Sequence, residues 1–174
     1  VIIAGAQLMR LPPAGYCPAG WMPPAADGRK VDYTTKEMIK TCRFWILWIT
    51  YFIGCTAGLL VIMNLVNIWQ AQAAAGLAKF SEIITVAQFS QILAQGTLAV
   101  MAVSIFNSLG RIAWGRISDK NGREKTLAAV FALCGVMLLV MGGLNSFWSF
   151  VVAASAIGFC FGGFLALYPA ITAD

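Results

Sequence analysis

The sequence contains no histidine, which excludes His-dependent catalytic pairs, H-E-x-x-H zinc sites and imidazole proton relays. Charge is scarce too: 11% of residues are charged and 60% hydrophobic, where a soluble domain carries roughly a quarter charged residues. That imbalance describes an integral membrane chain. Cys17, Cys42, Cys55, Cys134 and Cys160 are too widely spaced for a metal or redox motif, and three of them lie in apolar runs where a small apolar side chain suffices. No metal, cofactor or catalytic residue is expected, so the chain is not read as an enzyme. The net charge of +5 does not signal nucleic acid, because the cations sit in short loops beside apolar spans and no basic face with interleaved aromatics is present.

What the chain has in abundance is long apolar runs. Residues 44–68 carry no charge, and at about 1.5 Å per residue they suffice to cross a roughly 30 Å hydrocarbon core. Further spans are expected at 83–114, 126–144 and 147–171, with an external loop at 69–82. Residues 1–9 are apolar but too short to cross and are expected to close a helix that begins earlier; 10–43, with its Pro/Gly-rich run, is expected to be a linker. Within it, Thr34 to Glu37 suits the cap of a short helix at the membrane surface, and Ser81 suits the cap of the second span. Trp45, Trp48 and Tyr51 fit an interfacial belt, and Gly54 and Gly58 a close helix contact. Asn64 and Asn67 fit either a cavity or the outer interface. Gly158, Gly162 and Gly163 on the last span suit packing or a hinge, and Phe161, Phe164 and Tyr168 fall near one face of it.

The most polar segment is Gly115 to Lys125, with Arg116, Lys120, Arg123 and Lys125 among Asp119 and Glu124. Such a basic segment between apolar spans belongs on the cytoplasmic side. The cations of 10–43 fall on the same face if all four spans cross, and the opposite face holds only Lys79. Asp119, at the end of a span, either accepts charge-assisted hydrogen bonds from backbone donors or Arg123, and so latches one packing of the helices, or is a solvated charge in a topogenic turn. Arg111 lies eight residues before Asp119, about 12 Å along a helix. An intramembrane arginine marks a pathway or a partner, unless it snorkels to the headgroups. Thr97, Ser104 and Arg111 recur every seven residues with Asn107 beside them, giving a polar stripe that ends at the guanidinium. Gln88, Gln91 and Gln95 form a second stripe pointing elsewhere.

Gly115, Asp119, Lys120, Gly122 and Arg123 resemble the G-x-x-x-D-[RK]-x-G-R signature of the major facilitator superfamily; Glu124 stands where a cation is common there. The Leu11-Pro12-Pro13-Ala14-Gly15 run, Asp32 to Met38, Asn107 to Arg111 and Tyr168 to Asp174 are similar to the oxalate/formate antiporter branch of that superfamily. The resemblance implies an all-α membrane fold: the end of helix six, the central cytoplasmic linker, and helices seven to ten, which open the carboxyl-terminal half. It implies exchange of small organic anions by alternating access, with Arg111 pairing with a carboxylate and Asn107 beside it. It also implies a conformational latch in the signature residues. Related proton-coupled monocarboxylate transporters carry an aspartate where Asn107 stands, so the resemblance favours exchange over proton symport. The branch's second cation, a lysine on helix eleven, would fall beyond Asp174. The expected partners are a small organic anion, the lipid bilayer and further helices of the same transporter, in a multi-pass cell-membrane protein. The alternatives are a proton-coupled monocarboxylate transporter of the same superfamily and a non-transporting membrane subunit.

Overall fold

The computed structural model describes residues 34–78 and 85–173. The expectations for residues 1–33, including Cys17, and for Lys79, Ser81 and Asp174 lie outside the described residues. The chain divides into two compact units at Lys40 and Thr41. In the first, α1 (Thr35–Ile39) is one short turn of helix. The Glu37 carboxylate accepts from the Thr34 hydroxyl at 2.7 Å and from the Thr34 backbone N–H at 2.9 Å. These bonds hold the carboxyl below its ordinary range, so their support is present at neutral pH and is lost as pH falls through the lowered value.

The second unit holds α2 (Cys42–Ala78), α3 (Val86–Asn121), α4 (Arg123–Met141) and α5 (Phe147–Ala173). All four are long and apolar enough to cross a membrane, and no strand occurs among the described residues. The helix bounds depart from the apolar runs: α4 ends at Met141, short of the expected 144, and two further departures are larger. Residues 69–82, expected as a loop, are helical as far as Ala78, because the run Ala73-Ala74-Ala75 has the highest intrinsic helix propensity even though it is weakly apolar. Residues 115–125, also expected as a loop, are helical on both sides of Gly122. That residue alone turns the chain, at φ 88°, a region open to glycine and strained for other residues. The N-cap of α3 is Thr85, whose hydroxyl accepts from the Gln88 backbone N–H.

α5 is the central helix. Of its most apolar window 67% is buried, against 17% to 22% in the other three. It packs most extensively on α3, then on α4 and α2. The reason is written in its glycines. A Cβ at Gly162 would run into the carbonyl oxygen of Asn107, and one at Gly110 into that of Phe159, so α3 and α5 meet backbone to backbone. In a membrane, where apolar burial gives helices no preference for each other over lipid, such close packing is what drives association. α2 contributes a stripe of Gly54, Gly58, Val61, Leu65 and Trp69, buried at spacings of three and four. Gly58 lies under Phe161, and Gly54 under Phe131 and Phe164.

Candidate functional site

The buried face of α3 runs through Ile92, Gly96, Ala99, Val103, Gly110, Trp114 and Ser118, a spacing that keeps one stripe against its neighbours. At about 100° per residue, Thr97, Ser104, Ser108 and Arg111 fall roughly a quarter to slightly over a third of a turn round from that stripe, and all four are exposed. The hydroxyls of Thr97, Ser104 and Ser108 donate to carbonyls of their own helix at 3.1, 2.9 and 3.2 Å. Their donors are satisfied locally, and the oxygens keep accepting capacity toward whatever covers the face.

Asn107 and Arg111 lie one turn apart, where α3 crosses Gly162. The Asn107 carbonyl and the Arg111 backbone nitrogen both abut that glycine. Asn107 is half-buried and Arg111 exposed, so the crossing fixes the backbone of both residues and leaves the guanidinium on the uncovered side.

The signature residues cluster two turns further on. Asp119 and Lys120 are exposed in the last turn of α3, Gly122 makes the reversal, and Arg123 opens α4 half-buried. Gly115 is half-buried with open space where a Cβ would sit. Asp119 stands at a helix C-terminus, where the macrodipole disfavours an acid. Its exposed carboxylate is left to solvent or to a cation brought to it. Glu124, in contrast, lies in the first turn of α4, the favourable end.

Several polar residues have other roles than a substrate pocket. Gln88 completes the Thr85 cap, its amide oxygen 2.8 Å from the Thr85 backbone nitrogen. Gln95 accepts from the Trp69 indole at 3.2 Å, and the Asn64 amide donates to the Leu60 carbonyl at 3.0 Å. The aromatic face of α5 is packing: Phe164 meets Phe131 at a ring separation of 4.6 Å, and Tyr168 meets Tyr51 at 4.7 Å. Tyr51 therefore turns inward from the expected belt, while Trp45 and Trp48 stay exposed.

Sequence reasoning missed one feature. At the end of the helices far from the signature segment, the Gln72 amide donates to the Met141 carbonyl at 2.8 Å, capping the open C-terminus of α4. Trp69, one turn earlier, bonds Gln95 and packs at a tilt against Phe147 and Phe150, each at a ring separation of 5.2 Å. The partners of this clasp are so far apart in sequence that no local spacing announces them.

Four apolar crossing helices packed through glycines, a polar stripe exposed on one of them, and a charged reversal at one end define a multi-pass membrane protein. No protein-family model matches the chain. Similarity to curated proteins makes the class narrower. Over 146 residues the chain is 30% identical to an oxalate:formate antiporter of Oxalobacter formigenes, covering 82% of this chain and 31% of that protein. It is 30% identical over 145 residues to the uncharacterized MFS-type transporter YhjX of Escherichia coli (strain K12), with 82% and 32% covered. It is 29% identical over 155 residues to apicoplast pyruvate carrier 1 of Toxoplasma gondii, with 83% and 25% covered. These homologues support the resemblance to major facilitator transporters of the oxalate/formate type, and the chain spans about a third or less of the length of each.

Proposed function

We propose that the chain is part of a secondary transporter that exchanges small organic anions of the oxalate/formate type by alternating access. The observation that carries this reading is the uncovered polar stripe of α3 ending at Arg111. If the charged reversal at Asp119 marks the membrane interface, Arg111 lies about 12 Å deep, near the middle of a roughly 30 Å core, the depth at which secondary transporters bind substrate. A guanidinium offers planar, bidentate donors to a carboxylate and keeps its charge when desolvated. Asn107, one turn away, supplies a neutral amide. In this reading 44–68, 83–114, 126–144 and 147–171 mark the membrane-crossing parts, from the carboxyl-terminal half of a major facilitator fold, and the linker and signature segment are cytoplasmic.

Exchange follows from the same charge. A guanidinium closed off from water without a partner costs several kcal/mol, so the empty carrier is held back from reorienting until an anion pairs with Arg111. Asn107 does not titrate, so this position carries no proton beside Arg111. Asp119, Lys120 and Arg123, with the glycines Gly115 and Gly122, form a latch that holds one packing of the helices. The pyruvate carrier among the relatives favours a second reading, in which the exchanged anion is a monocarboxylate.

Counterflow in proteoliposomes of the full-length protein tests both. Labelled oxalate is expected to accumulate only in vesicles preloaded with oxalate or formate; accumulation with pyruvate inside and out selects the second reading. Uptake into empty vesicles driven by a pH gradient overturns exchange.

A further inference from the structure

Beneath the reversal at Gly122, α3 and α4 diverge around a cleft of about 470 Å³ lined by Trp114, Ile117, Asn121, Lys125, Thr126 and Ala129. Its lining changes in order. Asn121 and Lys125 stand at the mouth beside the turn, and Ile117, Ala129 and Trp114 lie one to two turns away along the helices, toward the apolar part of each span. Thr126 is buried and its hydroxyl is committed to the Gly122 carbonyl at 2.9 Å, which leaves the Asn121 amide and the Lys125 ammonium as the polar groups at the mouth.

The surrounding charge has a sign. Arg116, Lys120, Arg123 and Lys125 stand against Asp119 and Glu124. Asp119 is two residues from Asn121, hence about 200° round the helix, and faces away from the mouth. A cation and an amide at the interface, with an apolar valley running inward from them, match an amphiphile in the register a bilayer imposes. A free phosphate would engage the mouth and leave the valley unused.

We propose that this cleft seats an anionic phospholipid, its headgroup phosphate on Lys125 and Asn121 and one acyl chain along Ile117 and Ala129 over Trp114. Basic pockets between membrane helices commonly select such headgroups. The proposal needs the reversal to lie at a membrane interface and the cleft to face lipid, and it is independent of the transported substrate. The test is lipid retention by the detergent-solubilised full-length protein, read by native mass spectrometry during titration with phosphatidylglycerol, phosphatidylcholine or inorganic phosphate. Phosphatidylglycerol is expected to be retained in preference to phosphatidylcholine, about fivefold more weakly in Lys125→Ala, and more weakly again in Ala129→Trp, which fills the valley from an exposed position without touching the mouth. Inorganic phosphate in millimolar excess is expected not to displace it. Unchanged retention in both variants, equal retention of the two lipids, or displacement by phosphate would each overturn the proposal. Because the readout is lipid retention, none of these outcomes bears on exchange.

Discussion

Glycines of the same type carry opposite expectations here, because what a Cβ would meet differs at each. Gly162→Ala places a methyl against the Asn107 carbonyl, and backbone cannot step aside as a side chain end can. The expected cost is about 1 to 3 kcal/mol, read as a lower unfolding midpoint in detergent. Gly115→Ala meets open space within a helix, so the midpoint is expected to hold or rise, by up to about 1 kcal/mol. Gly122→Ala has the space but not the conformation: at φ 88° the strain is expected to cost roughly 1 to 2 kcal/mol. A stable Gly162→Ala or an unstable Gly115→Ala would contradict the packing described. The sequence marked Gly162 and Gly122 as special, yet which carbonyl Gly162 meets was not legible, since Asn107 lies on another helix.

The helices themselves were readable wherever apolar length decides. Each expected crossing lies wholly or largely within a helix, because a predominantly apolar run of that length has no other stable form in lipid. Their ends were not readable, for Ala73 to Ala75 and Arg116 to Asn121 stay helical by propensity and hydrogen bonding without being strongly apolar. The clasp at the far end is the element-level feature that hydropathy hides. Gln72→Leu removes the bond to Met141 and also a buried amide oxygen that lacks a partner among the described residues. The expected loss is about 0.6 kcal/mol and below the roughly 1.7 kcal/mol maximum for such bonds in membranes. Trp69→Phe keeps the ring contacts with Phe147 and Phe150 but strands the Gln95 oxygen, and is expected to lower the midpoint more. The reverse order would remove Trp69 from the centre of the clasp. At the other end Asp119 is exposed, so Asp119→Asn is expected to change stability by less than about 1 kcal/mol while slowing exchange. Exchange at the normal rate would leave Asp119 a solvated charge.

At the scale of the molecule, α5 gathers three helices through glycine contacts and leaves the polar stripe of α3 uncovered, on a chain that spans about a third of two of its relatives. The cation asymmetry predicts that Asn121→Cys in an otherwise Cys-free full-length protein escapes an impermeant thiol reagent added outside, while Ala75→Cys is labelled. The opposite pattern reverses the orientation. The central claim is that the stripe ends in the substrate's charge partner. Its most direct test is equilibrium binding of labelled oxalate to the folded full-length protein carrying Arg111→Lys or Arg111→Gln. The lysine variant, which keeps the charge and loses the fork, is expected to bind weakly and to discriminate poorly between carboxylates, and the glutamine variant is expected not to bind. Near wild-type affinity in Arg111→Gln would contradict the claim and return Arg111 to the role of a cation reaching for the headgroups.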